Sequence, residues 1–360
     1  MSEWVGDIET QKMVVIILVL YIYDVSKPWI HTTVFNHLLK PLLPFWLLLT
    51  HFSIRLFFKM VHTQRNVEFP TVDGTTLRGL FFSPVRDGTM PCIVMTHGFS
   101  GLKEQFLPDF AERFCTAGYA VLIYDHRSWG SSGGFPRNET DPTRQALDYS
   151  DAFDFVTSLP EVDPTKIVFW GSSMGGGIVI LAAAFEKRIA AVIVQVPFVS
   201  GESVGPVIQA YLPAIYADRL RIKSGHPPEM TKVIAESPES AKRGDSGALM
   251  GKPDVAPYLE ELTRRGQSWE KDVTLQSVFN ISVFEPRAFI HRISPTPLLM
   301  VVAERDATVS TSSQLEAFAS AREPKTLAVI KNSEHFDLYF GNEFEDNISA
   351  QLDFLGKVCN

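Results

Sequence analysis

Cysteine is scarce in this chain: Cys92, Cys115 and Cys359 are the only three in 360 residues. They are odd in number, far apart, and fit no CxxC or zinc spacing, which argues against a disulfide framework and a thiolate metal site. Maturation in a reducing, intracellular compartment is the expectation. Runs of Lys and Arg are also lacking. With a formal net charge of −8, the chain carries no electrostatic footprint for nucleic acid. No uninterrupted apolar run reaches the roughly 20 residues that a bilayer-spanning helix needs. Metal, nucleotide and flavin motifs are missing, so no cofactor is expected. Internal repeats and low-complexity tracts are missing too.

What is present is apolar. Hydrophobic residues make up 45% of the chain and charged residues 21%, which is enough to bury a sizeable core. The first 62 residues differ from the rest and form a candidate membrane anchor. Met13–Tyr23 reads MVVIILVLYIY, too short to span. Leu42–Val61 is long enough but is interrupted by Pro44, His51, Arg55 and Lys59. The last three recur every fourth residue, so a helix sets them along one stripe. Such a helix could lie in a membrane interface with Trp46, Leu49, Phe52 and Leu56 buried, or pack on the protein's own domain. Membrane association through residues 13–61 and packing stand as alternatives. A secretory signal does not fit, because Glu3, Asp7 and Glu9 occupy the place of a basic leader and no small-residue cleavage site follows.

From residue 63 short apolar strands alternate with helix-length segments. Gln64–Phe69 and Thr76–Phe82 flank Asp73-Gly74, a hairpin turn signal. Cys92–Thr96, Ala120–Tyr124, Ile167–Trp170 and Ala191–Val196 read as buried strands, with helices near Phe106–Ala117, Thr143–Ser158 and Met174–Phe185 between them. Leu298–Val302, Ser313–Ala321, Thr326–Ile330 and Ile348–Leu355 complete the alternation. This pattern predicts an α/β fold with a mostly parallel, doubly wound sheet covered on both faces. Between 199 and 293 the alternation stops, and helix-like pieces such as 204–216 and Val255–Arg265 appear. The expected organisation is a core from 63–198 and 294–360, with a helical cap at 199–293 over the carboxyl edge of the sheet, where ligands bind in open α/β folds. In 204–216, Val204, Val207, Ile208, Tyr211, Leu212, Ile215 and Tyr216 recur at three- and four-residue spacing as a wide apolar face.

Gly171-Ser172-Ser173-Met174-Gly175 fits G-x-S-x-G, follows the strand KIVFW and precedes the helical run GGIVILAAAF. A serine on a tight strand-to-helix turn projects its hydroxyl from the sheet edge. That hydroxyl is a weak nucleophile and needs a base, itself oriented by an acid. In the expected order Ser, acid, His, the candidates are Ser173, Asp306 after LLMVVA, and His335 after TLAVI. Glu304 is the second candidate acid and Asp337 a third. An oxyanion needs two donors. Candidates are the backbone N–H of Met174 and that of Phe99 in the loop His97-Gly98-Phe99-Ser100-Gly101; His97 reads as a structural turn residue.

Residues 64–355 resemble the α/β-hydrolase superfamily along their full length, and YDHRSWGSSG is similar to its YDxRGxGxSxG stretch. More narrowly, THGFSGLKEQFLPDFAERFCTAGYAVLIYDHRSWGSSGG, LPEVDPTKIVFWGSSMGGG and QVPFVSG resemble a fungal group of polyketide transferases and thiohydrolases, which shades into bacterial dienelactone-hydrolase-like and peptidase-like proteins. Two departures stand out: Met-Gly-Gly follows Ser173 where a Tyr-Ser-Gly-like string is expected, and the hydrophobic N-terminal segment is unusual. The resemblance implies serine-dependent acyl transfer or (thio)ester hydrolysis on a polyketide-derived acyl chain in fungal secondary metabolism. It also implies a small-molecule acyl substrate delivered by a synthase carrier domain. A general carboxylesterase or peptidase-like hydrolase is the alternative enzyme. A non-catalytic, membrane-associated binding protein on a hydrolase scaffold is the alternative of another class.

Overall fold

The computed structural model describes residues 62–359. The N-terminal segment read as a candidate anchor therefore lies, but for His62, outside the described residues. Among those described, no helix is long and apolar enough to cross a membrane.

Asp73-Gly74 does turn the chain, with Gly74 at φ 82°, between β1 (His62–Pro70) and β2 (Thr76–Pro84). The alternating units follow as β3 (Met90–Thr96), α1 (Leu107–Thr116), β4 (Ala120–Tyr124), α2 (Pro142–Thr157), β5 (Val162–Ser172), α3 (Met174–Phe185) and β6 (Ala191–Gln195). After a long insertion come β9 (Leu298–Ala303), α8 (Thr311–Ser320), β10 (Lys325–Ile330) and α9 (Gly341–Val358). The eight strands form one sheet in the order β1-β2-β4-β3-β5-β6-β9-β10. β1–β2 and β2–β4 pair antiparallel and every other pair is parallel. β5 starts five residues earlier than the sequence suggests, because its first residues rejoin β3 beyond a bulge between Met90 and Cys92.

Both faces of this sheet are buried, which explains the unalternating apolar runs. Val94, Leu122, Phe169, Val192 and Met300 face one layer, packed by Tyr149 and Phe153 of α2 and Ile178 and Val179 of α3. Their chain neighbours Ile93, Val121, Val168, Ile193 and Leu299 face the other, packed by Phe110 and Phe114 of α1 and Phe354 and Leu355 of α9. Each such side chain contributes about 1.5–3 kcal/mol. The start of α2 is fixed locally: the Asp141 carboxylate accepts from the Arg144 N–H at 3.1 Å and Pro142 takes the first helical position, where its missing N–H costs nothing.

The insertion carries α4 (Gly205–Lys223), α5 (Pro238–Arg243), α6 (Ala256–Arg264) and α7 (Leu275–Ser282). A small antiparallel pair joins them, β7 (Met230–Lys232) with β8 (Asp272–Thr274). Ile208 and Ile215 of α4 bury against Leu275 and Val278 of α7, with Val204, Tyr211 and Leu212 beside them. The apolar face is narrower than the expected seven residues: Tyr216 is 54% exposed and Val207 44%. Positions 204, 208, 211 and 215 follow the helical period, whereas 207 and 216 fall about 70° to one side of their mean direction and about 110° to the other.

Candidate active site

Gly171 and Gly175 make the turn after β5 possible. A Cβ on Gly171 would sit 2.2 Å from the Gly175 carbonyl oxygen, so the chain folds back on itself too closely for any side chain. Ser173 at its apex has φ 56° and ψ −122°, a conformation non-glycine residues rarely hold unless their surroundings enforce it. Enforcement comes from backbone bonds on both sides: the Ser173 N–H donates to Gln195 O at 2.9 Å, and the Phe198 N–H donates to Ser173 O at 2.8 Å.

The loops after β9 and β10 are stitched together. The Glu304 N–H donates to Ile330 O at 3.0 Å, and the Arg305 N–H to Ser333 O at 2.9 Å. This sets Asp306 beside His335, whose Nδ1 lies 2.8 Å from Asp306 Oδ2, while Nε2 lies 3.0 Å from Ser173 Oγ. Asp306 also accepts from the N–H groups of Thr308 and Val309, at 3.0 and 2.8 Å, and from Gln314 Nε2 at 3.0 Å. With its oxygens committed to accepting, Asp306 accepts a hydrogen bond from the N–H at His335 Nδ1. Nε2 is left as an acceptor for the Ser173 hydroxyl. The other candidate acids do not reach this line. Glu304 accepts from Lys331 Nζ and the Asn332 N–H, at 2.9 and 2.8 Å. Asp337 accepts from the Glu334 N–H at 2.8 Å.

The loop after β3 presses on the serine. A Cβ on Gly98 would lie 3.1 Å from Ser173 Cβ, so only glycine allows this approach without displacement. The Gly98 carbonyl accepts from His97 Nδ1 at 2.9 Å and from the Gly101 N–H at 3.2 Å. In a trans peptide the C=O and the next N–H point in opposite directions. Turning the Gly98 carbonyl into its own loop therefore frees the Phe99 N–H, which has no acceptor among the described residues. The Met174 N–H opens α3 and is one of the donors a helix start leaves unpaired. His97 Nε2 accepts from the His126 N–H at 3.3 Å, so the proton sits on Nδ1. Burial holds His97 below the usual histidine range, which keeps the ring neutral. Farther along, the Lys103 N–H and Nζ both donate to Asp125, at 2.9 and 2.7 Å, which anchors the loop to the turn after β4.

Beneath the serine runs a buried polar chain. Trp170 Nε1 donates to Gln351 Oε1 at 2.7 Å, and Gln351 Nε2 to Asn347 Oδ1 at 2.7 Å. Asn347 Nδ2 donates to Gln195 Oε1 at 2.7 Å, and Gln195 Nε2 to Ser172 Oγ at 3.0 Å. The Ser172 and Tyr339 hydroxyls lie 2.6 Å apart, and burial pushes the Tyr339 phenol up to about 12. Three of this chain's links, Trp170–Gln351, Asn347–Gln195 and Ser172–Tyr339, join residues 181, 152 and 167 apart in sequence, and no motif marks it.

Two cavities meet at Ser173, and Phe99 and Met250 line both. The larger, about 140 Å³, lies under α4 and α7 between Phe198, Val204, Ile208, Leu249, Val278 and Val309. The smaller, about 40 Å³, is bounded by His335, His97, Gln105, Tyr258, Trp269 and Tyr339. Neither is lined by a carboxylate. Among the described residues no cluster of His, Cys, Asp and Glu could hold a metal.

A family model described as serine aminopeptidase, S33, matches residues 89–339. A thiohydrolase of Eupenicillium brefeldianum is 34% identical over 294 residues, covering 81% of this chain and 94% of that protein. A polyketide transferase of Stachybotrys chlorohalonatus is 34% identical over 299 residues, covering 83% and 98%. The crystal structure of the α/β-hydrolase GrgF from Penicillium sp. sh18 superposes with a TM-score of 0.73 at 33% identity, over 82% of this chain and 99% of that one. Matched by that family model over most of its length, and folded as GrgF is, the chain belongs to the α/β-hydrolase family described as serine aminopeptidase, S33, and is an α/β-hydrolase enzyme.

Proposed function

We propose that this enzyme transfers or hydrolyses acyl groups through an acyl-enzyme on Ser173, and that its substrate is a polyketide-type acyl chain held as a thioester or ester. The observation that carries this reading is the line Asp306–His335–Ser173, at 2.8 and 3.0 Å, opening on an apolar cavity of about 140 Å³. His335 Nε2 takes the hydroxyl proton as Oγ attacks the carbonyl carbon. The N–H groups of Phe99 and Met174 receive the oxyanion. The same proton then passes from His335 to the departing sulfur or oxygen, and water or an alcohol resolves the acyl-enzyme by the reverse path. The apolar cavity shelters the chain while the intermediate waits. Relatives named thiohydrolase and polyketide transferase support both outcomes, and delivery by a synthase carrier domain fits a thioester-bound chain.

An aminopeptidase reading, which the family's description invites, meets an obstacle in the lining. A peptide amino terminus is a cation, and burying it without a carboxylate is costly. Neither cavity offers one.

The test is a series of acyl thioesters of increasing chain length, with and without alcohol acceptors, in wild type and Ser173→Ala. Ser173→Ala is expected to lose turnover by several orders of magnitude and to lose covalent labelling by a fluorophosphonate. Wild type is expected to gain about 0.8 kcal/mol in kcat/KM per buried CH₂ until the cavity is full. A preference for acetyl would overturn the polyketide substrate.

A further inference from the structure

The wall of the larger cavity and the holder of the acid share two residues. Thr308 and Val309 both line that cavity. Their N–H groups both donate to Asp306 Oδ1, at 3.0 and 2.8 Å. An acyl chain that fills the cavity therefore packs against the same loop that aims the carboxylate at His335. Such a loop needs a stop behind it, because an acid that swings away no longer orients the imidazole.

The stop comes from the cap. The Thr308 hydroxyl donates to Asp254 Oδ2 at 2.8 Å, and a carboxylate acceptor makes this a charge-assisted hydrogen bond. Asp254 lies in a 3₁₀ turn, Pro253–Val255, that runs straight into α6. The turn is anchored in its own right, since Val255, Ala256 and Leu259 are buried in the core beside it. One helical turn beyond Asp254, the Tyr258 ring packs 4.9 Å from that of Phe336, the residue after His335. Four residues before it, Met250 lines both cavities. One cap segment, 250–258, thus reaches the acyl wall, the acid loop and the base loop. Asp254 itself lines neither cavity, so changing it leaves the lining intact. Two further holds on Asp306 come from its own side of the site: Gln314 Nε2 donates to Oδ2, and the Asp306 N–H donates to Thr311 Oγ1, each at 3.0 Å. These keep the acid in place when no chain loads the wall.

We infer that Asp254 is a positioning residue for long acyl chains: through Thr308 it braces the wall of the acyl cavity, so that a chain filling the cavity leaves Asp306 in line with His335. The inference rests on the acyl-enzyme reading above. Acyl length then enters kcat and not only binding, because both formation and breakdown of the acyl-enzyme use His335.

The experiment uses the full chain and measures kcat and KM separately on p-nitrophenyl acetate and p-nitrophenyl octanoate. Asp254→Ala is expected to lose about tenfold in kcat on the octanoate, with KM within about twofold, and to keep its kcat on the acetate. Asp254→Asn leaves an oxygen for the Thr308 hydroxyl and is expected to recover most of the loss. Thr308→Val keeps the size of the side chain and removes its hydroxyl. It is expected to lose as much on the octanoate as Asp254→Ala, and the double variant no more than either, since one interaction cannot be removed twice. Should Asp254→Ala fail to fold, Thr308→Val set against Thr308→Ser, which keeps the hydroxyl, decides. A residue that merely pins the cap would slow both esters alike. A contact that merely shapes the pocket would raise KM. Either result overturns the assignment, as do additive losses in the double variant. Failure of the acyl-enzyme reading looks different: Ser173→Ala would then go on turning over both esters.

Discussion

His97 offers a test in which activity and stability separate. Its two ring nitrogens do two jobs: Nδ1 donates to the Gly98 carbonyl at 2.9 Å, and Nε2 accepts from the His126 N–H at 3.3 Å. The first leaves the Phe99 N–H free for the proposed oxyanion site; the second satisfies a donor on a residue only 2% exposed. In a side-chain amide, Asn places a nitrogen near the Nδ1 position and Gln reaches the Nε2 position. His97→Gln should keep the His126 contact and lose the hold on Gly98. Losing an oxyanion donor outright costs about 10²–10³ in kcat. The Gly101 N–H still holds the same carbonyl at 3.2 Å, so about 10- to 100-fold is expected, with KM little changed. His97→Asn should do the reverse. It keeps kcat within a few-fold and orphans the His126 N–H at about 1–3 kcal/mol, read as a Tm lower by about 2–4 °C per kcal/mol. Steady-state kinetics on a p-nitrophenyl ester and thermal melts of both variants give the answer. If the Asn variant lost kcat while the Gln variant kept it, the peptide-plane argument for Phe99 would be refuted.

Two further outcomes follow from the site. Asp306→Asn should lower kcat by about 10⁴, as loss of the orienting acid does in triads, while Glu304→Gln stays near wild type because the Glu304 carboxylate is held by Lys331 and Asn332 and not by His335; parallel kinetics of the two variants settle which acid serves His335. Ile208→Trp should fill the cavity under α4 and flatten the acyl-length dependence without changing the rate on acetyl esters. Equal loss on short and long chains would move the acyl pocket elsewhere.

The parallel sheet was legible because strands buried on both faces, such as CIVMT and AVLIY, leave continuous apolar runs between helical segments. The Ser173 turn was legible from glycines at fixed offsets, and Asp306 and His335 from their places just past strands; the structure brings the three within hydrogen-bond distance. The partners of those residues were not legible. Gln314 reaches Asp306 only because α8 folds back on its own loop. Trp269 borders the small cavity only because the insertion closes over the sheet edge. His97 read as a turn residue, but its hold on the Gly98 carbonyl, and through it on the Phe99 N–H, depends on His126, which the β3–β4 pairing brings alongside. Local spacing encodes the turn that presents a nucleophile; the groups that hold its neighbours come from packing between distant segments.

The polar chain beneath Ser173 also has a direction in time. A ribosome delivers Trp170 and Gln195 early, yet their partners Gln351 and Asn347 lie 181 and 152 residues downstream. Until that last helix is made and docked, an indole N–H and an amide oxygen stand unpaired under the serine turn, and water must serve them. The nascent enzyme therefore carries its nucleophile without the floor that holds it while the residues between Ser173 and Gln351 are made. A chain released before residue 351 leaves those buried groups wet, and so bears a structural mark of being unfinished.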